Sequence, residues 1–340
     1  DGGARDAGGD VRDAASDAPA TSDAPTDAPV ATTTQTLSVA TLAPVGSTWM
    51  RTFDAWNREL RRRTGATLSM RFYPNGIQGD EAEVVRKMRA GRLDGGALTA
   101  VGLALVHRPT LVFQSPGMFA DDDALDRARE ALRPELDAAF EQGGFSLVGW
   151  GDVGTDRSFS DRAIVAPGDL ARTKLFLWHD DLLSPTLYEE LHVRGVELQL
   201  PEVLTALQTH TVDTVFAPPI AVASLQWAAH VNHMLDLPIA IEVGAVVFSA
   251  RRLASLSPEQ RTALRETATQ YCGLLVRNVR REDAAAIPAM RARGLTVETP
   301  TDAQRAQWNA AFTRTRARLV NTLADAPFFE RVERAGRRSQ

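Results

Sequence analysis

The sequence predicts an α/β protein of two similar lobes strapped together by a long helix. Three observations carry that expectation. The chain has 340 residues, more than one hydrophobic core usually organises. Its ordered part opens with a strand, a helix and a second strand. A helix-to-strand block then occurs twice, as Glu83 to Asp94 and again as Glu202 to Asp213.

Residues 1–35 are mostly Asp, Ala, Gly, Pro, Ser and Thr with no aromatic, Leu or Ile, so they have too little apolar surface for burial to offset the entropy of ordering. They read as a disordered tether behind a removed signal peptide, in the manner of an exported lipoprotein whose lipidated Cys stands just ahead of such a linker. Seven Asp against two Arg in this stretch account for the whole formal net charge of -5. The remainder is balanced, with no field that would gather nucleic acid or an anionic membrane. Cys272 is the only cysteine, which rules out an internal disulfide and a zinc knuckle. No apolar run reaches the length of a membrane-spanning helix.

The first strand is expected at Leu37 to Leu42. Gly46, Ser47 and Thr48 then offer capping chemistry for a helix whose apolar stripe is Trp49, Phe53, Trp56 and Leu60. Gly65 ends that helix, and Thr67 to Tyr73 form the next strand. The two repeat blocks each run from a short helix into a strand, ending at Gly95-Gly96-Ala97 and at Ala217-Pro218-Pro219. Two facing lobes would bring those strand ends to the crevice where open α/β sheets hold ligands. Phe145 to Trp150, Lys174 to Trp178 and Val243 to Ser249 read as further strands. Ser257, Pro258 and Glu259 open the long helix, which is expected to run to about Ala286 before Pro288 disturbs it. Helices over Thr301 to Leu323 and Phe328 to Ala335 close the chain.

Catalytic and cofactor chemistry finds little support. The run Gly149 to Gly154 follows a strand but lacks the glycine spacing of a dinucleotide fingerprint, and there is no Gly-x-Ser-x-Gly elbow. His179-Asp180-Asp181, and His230 with His233 on one helical face, each fall short of the three or four ligands of a metal site. No enzyme, cofactor or metal is expected.

In its detail the chain resembles the solute-binding proteins of tripartite ATP-independent periplasmic (TRAP) transporters, over about Leu37 to Phe312. The matching segments are Phe72 to Glu81 with its Pro74-Asn75-Gly76 turn, Val84 to Asp94, Pro116 to Phe119, Pro167 to Leu175, Ala206 to Asp213 and Leu256 to Gln260. The resemblance implies a periplasmic-binding-protein-like fold with hinge strands, closing around a ligand that is passed to the subunits of an ion-coupled membrane permease. The division it suggests is 1–35 tether, 36–155 with 244–290 as lobe I and strap helix, 156–243 as lobe II, and 291–340 as C-terminal helices packed on the lobes.

The departures bear on the ligand. Phe176 stands where the family carries an Arg that grips a substrate carboxylate, and Ala217, before Pro218, stands where it commonly has Asn. Trp49, Phe113, Met118, Trp150, Trp178 and Phe216 would then line an apolar cleft, each being equally a candidate for ordinary core. A lipid, sterol or isoprenoid-like ligand follows. A small carboxylate held by Arg157 is the alternative, with Arg162 a further candidate anion contact. A third reading is an envelope interaction module, working through an accessory periplasmic protein.

Overall fold

The computed structural model describes residues 34–337. The expected tether and lipid anchor fall on residues 1–33, outside the described residues. Gln35 does not belong with them, because it is the first residue of a strand and its N–H donates to the Thr67 carbonyl at 2.8 Å.

The strands are β1 (Gln35–Thr41), β2 (Leu68–Tyr73), β3 (Gly95–Thr99), β4 (Phe145–Thr155), β5 (Arg157–Ser160), β6 (Leu175–Trp178), β7 (Gly195–Leu198), β8 (Thr214–Ala217), β9 (His233–Leu235), β10 (Ile241–Ser249) and β11 (Thr296–Glu298). The helices are α1 (Thr48–Arg63), α2 (Glu81–Arg89), α3 (Ala100–Ala104), α4 (Asp122–Gln142), α5 (Ser184–Glu190), α6 (Val203–Gln208), α7 (Pro219–Ser224), α8 (Ala250–Ala254), α9 (Pro258–Arg291), α10 (Asp302–Leu319) and α11 (Ala326–Gly336). One sheet has the order β2-β1-β3-β10-β4 and the other β11-β9-β5-β8-β6-β7. In the first, β1 runs parallel to β2 and β3, while β10 returns antiparallel between β3 and β4. In the second, β6 runs parallel to β7 and β8, and β5 lies antiparallel to β8 and β9.

The repeat has a physical basis. Asp94 Oδ2 accepts the Ser38 N–H at 2.7 Å, tying the turn before β3 to β1. Asp213 Oδ1 accepts the Lys174 N–H at 2.7 Å, tying the turn before β8 to the start of β6. An arginine completes each carboxylate, Arg252 on Asp94 and Arg162 on Asp213. Arg162 is thereby spent inside the second lobe.

The lobes meet at two crossings. Residues 155–157 carry the chain from β4 to β5, and residues 236–241 bring it back into β10. They pair there, Asp156 N–H donating to the Ala240 carbonyl at 2.8 Å and Ile239 N–H to the Asp156 carbonyl at 2.9 Å. The strap is α9. Leu264, Ala268, Cys272, Leu275 and Val279 are buried with Trp49, Phe53 and Trp56 of α1, whereas Met290 near its C-terminus is buried with Phe159, Phe176 and Val215 of the second sheet. Asp283 fixes the strap to both lobes, with Oδ2 accepting the Thr155 N–H at 3.1 Å and Oδ1 the Ile220 N–H at 2.9 Å. The glycines of β4 permit this packing. A Cβ at Gly149 would come within 2.6 Å of Cys272 Sγ, and one at Gly154, whose φ is +132°, within 2.8 Å of Asp283 Oδ1.

Several boundaries differ from those expected. The long helix continues through Pro288 to Arg291, because a proline so close to the C-terminus forfeits only a late helical hydrogen bond. Helix α10 stops at Leu319, where Val320 turns extended and Asn321 takes φ +66°. His230 and His233 do not share a helical face. Gln226 enters a left-handed turn, His230 ends a short 3-10 turn, and His233 opens β9, where its Nδ1 meets Glu298 Oε1 at 2.8 Å.

Candidate ligand-binding cleft

Between the two sheets lies a cavity of about 130 Å³. The first lobe contributes Thr41 to Pro44 after β1, Trp49 and Phe53 of α1, Ala97 to Thr99 of β3, Gly151 to Val153 of β4, and Glu242 of β10. The second contributes Phe176 and Trp178 of β6, Leu200, Phe216 and Ala217 of β8, Pro218, and Trp227. Of the residues the sequence proposed, Trp49, Phe176, Trp178, Phe216, Ala217 and Pro218 line this cavity.

The other four lie elsewhere. Phe113 is 1% exposed and packs its ring beside Phe119, Trp150 and Phe328. Met118 rests on the edge of that cluster. Trp150 alternates with Gly149 and Gly151 along β4, so its ring leaves the α9 face and lies under the Arg129 guanidinium at 5.1 Å. Arg157 lines a second cavity behind the crossings with Asp122, Arg280 and Asp283, where it donates to the Thr155 carbonyl at 3.3 Å.

Closure is held by one carboxylate. Asp80 caps α2 through Oδ1, which accepts the Glu81 N–H at 2.8 Å. Its Oδ2 reaches across the cleft, accepting Trp178 Nε1–H at 2.9 Å and the Leu200 N–H at 3.1 Å. The Asn75-Gly76 turn, both residues at positive φ, presses against Pro201 beside it. One side chain thus joins the first turn of a lobe I helix to the wall of lobe II.

Three acidic residues line the cavity. Glu81 is spent locally, accepting from the Thr99 N–H at 2.7 Å, the Thr99 hydroxyl at 2.8 Å and the Gly102 N–H at 2.6 Å. Asp152 is 1% exposed and lies 2.6 Å from Arg129 Nη2 and 2.7 Å from Arg280 Nε. Glu242 faces the cavity, and the buried Asp156 carboxyl at the crossing is its nearest acidic neighbour in electrostatic effect. Burial pushes the Glu81 carboxyl up to about 7 against the donors that lower it. Burial also raises Glu242 and, together with the neighbouring Glu242, Asp156.

These shifts predict how stability varies with pH. A carboxyl raised in the folded state binds more protons there than when unfolded, so its contribution is complete below about 4.5 and lost as pH rises through the raised value. The ligand-free protein is therefore expected to melt several degrees higher at pH 5.5 than at pH 8.5, with Glu242→Gln flattening the decline. A melting temperature that is level or climbs over that range would contradict the assignment.

Two α/β lobes, two extended crossings, a strap helix and a cavity between the lobes define the architecture of a receptor that closes over a small molecule. The chain belongs to the bacterial extracellular solute-binding protein family 7, whose family model matches residues 39–322. A solute-binding protein of Verminephrobacter eiseniae is 23% identical over 246 residues, 72% of this chain and 73% of that one. Among solved structures, a Bordetella pertussis extracytoplasmic solute receptor binding pyroglutamic acid matches with a TM-score of 0.83 at 16% identity, covering 89% of this chain and 100% of that one. A TRAP periplasmic solute-binding protein of Shewanella oneidensis with bound succinate matches with a TM-score of 0.83, also at 16% identity and over 89% and 100% of the two chains. The chain is thus a periplasmic receptor of the TRAP type, a transport component that works with membrane permease subunits and not an enzyme.

Lining residues that sequence reasoning missed include Phe53, Leu200, Trp227 and Glu242. Glu242 had a readable signal, being the one charge in the apolar run Leu237 to Ser249. Trp227 and Leu200 had none, since each reaches the cavity from a short 3-10 turn of lobe II.

Proposed function

We propose that this TRAP-type receptor takes a compact, largely apolar solute between its lobes. The observation that carries this reading is the lining: among the described residues no Arg, Lys or His borders the cavity, and Phe176 fills the strand position where an anion-binding Arg was expected. A buried carboxylate without a cationic or polar partner is costly, so the wall favours a body that aromatic rings can cover. The sterol or long acyl chain suggested by the sequence does not suit a cavity of about 130 Å³, below the usual range of drug-sized sites.

A small organic carboxylate is the second reading, and the solved relatives support it rather than the first, since those named above hold succinate and pyroglutamic acid. At 16% identity that likeness carries the fold and not the solute. Calorimetry separates the two. Micromolar binding of succinate or pyroglutamate would establish the second reading and end the first. Phe176→Arg gives an independent check, because Phe176 is 6% exposed and packs edge-on against Trp227 at 6.3 Å. Under the apolar reading a guanidinium there weakens solute binding by at least about tenfold, through lost packing and a polar group left without its hydration. Indifference to the change would show that the solute does not touch β6.

A further inference from the structure

We propose that the solute carries a cationic nitrogen, an ammonium group seated against the Glu242 carboxyl and flanked by the aromatic rings of the cavity wall. The proposal rests on the receptor reading above and narrows its ligand.

Of the three acidic residues at the cavity, Glu81 is saturated by donors from Thr99 and Gly102, and Asp152 is neutralised by Arg129 and Arg280. Glu242 is in a different position. Among the described residues its carboxyl meets no N–H or O–H donor, and neither does the buried Oδ1 of Asp156, which acts on it electrostatically. The charged groups that act most strongly on Glu242 are Asp156 from the crossing, Asp181 ahead of α5, Glu81 of α2 and Asp283 of α9, all acidic. Burial and the acidic neighbours raise both carboxyls, so in the empty cavity the pair resists ionisation.

A cation lets such a pair ionise, and among the described residues this chain places none at the cavity wall. An ammonium supplies one positive charge and the N–H donors that the two carboxyls lack. The rings of Trp49, Phe176, Trp178, Phe216 and Trp227 in the lining suit the same group, since aromatic rings attract cations and cover the carbon skeleton attached to them. A ligand carboxylate would instead set a further acidic group against carboxyls that already resist ionisation. A metal ion is a poorer fit, because the described residues hold no group of three or more His, Cys, Asp or Glu positioned to bind one.

The test is calorimetry on the full chain with matched probes differing in one group: a series of alkyl and aryl amines, the corresponding alcohols, and the corresponding carboxylates, all at pH 7.5. The amines are expected to bind at least tenfold more tightly than their alcohols. Glu242→Gln, nearly isosteric, should abolish that preference, and Asp156→Asn should reduce it should the first variant fold poorly. Alcohols binding as tightly as amines, or carboxylates binding while amines do not, would overturn the cationic solute and leave the receptor reading intact. Silence of all three series would overturn the compact apolar solute proposed above as well.

Discussion

Asp80→Asn is expected to weaken solute binding by about a hundredfold or more while leaving the fold intact. The asparagine keeps a side-chain oxygen to cap α2, but its amide nitrogen cannot accept from Trp178 Nε1–H and the Leu200 N–H, the two bonds that Asp80 Oδ2 makes across the cleft. Hydrogen bonds to a charged group contribute about 1.5–3 kcal/mol each, and these two exist only when the lobes are closed. Their loss shifts the open–closed equilibrium, and apparent affinity falls with the fraction of closed protein. Small-angle scattering should show a larger radius of gyration for the variant, and Trp178→Phe, which removes one of the two bonds, should fall between it and the wild type. Unchanged affinity in Asp80→Asn would mean that closure does not depend on this carboxylate.

Asp152→Ala should act on stability. Asp152 is 1% exposed on β4 and holds Arg129 Nη2 at 2.6 Å and Arg280 Nε at 2.7 Å. Arg280 has other partners, forking onto both oxygens of Asp126 at 2.7 Å, but Arg129 is 5% exposed and is left with Asp126 at 3.8 Å and the Trp150 ring. Removing one member of a buried ion pair costs about 3–5 kcal/mol, chiefly because the other charge stays buried. At roughly 2–4 °C per kcal/mol the melting temperature should fall by about 10 °C. The Asp152→Ala, Arg129→Ala double variant should lose less than the two single losses together, since the second change removes the stranded charge. A loss below about 1 kcal/mol for Asp152→Ala alone would show that water already reaches this pair.

Much of the architecture was legible because its causes are local. The stripe Trp49, Phe53, Trp56 and Leu60 has helical spacing, and all four side chains are buried. Ser257 and Gln260 form a capping box at the start of α9, so that helix announced its own beginning. The repeat around Asp94 and Asp213 was visible because the same turn-to-strand bond is built twice. The cleft was only partly legible, for the opposite reason. Phe113, Met118 and Trp150 are as apolar as Trp49 and Trp178, and only the direction in which each side chain leaves its element separates core from wall. The Asp80 latch joins residues 98 and 120 positions apart in the chain, a pairing that no local pattern encodes. Arg157 looked available as an anion ligand, yet β5 turns it away from the cavity that Phe216 and Ala217 enter.

That this chain closes over one small solute between its lobes is tested most directly by a crystal structure of the full protein, purified under mild conditions with its bound molecule identified by native mass spectrometry. The expected result is density for a single compact molecule enclosed by Trp49, Phe176, Trp178 and Trp227 with its polar end against Glu242, and with Asp80 bonded across the cleft to Trp178. A bound molecule outside the cleft, or a cleft filled by the protein's own side chains, would contradict it.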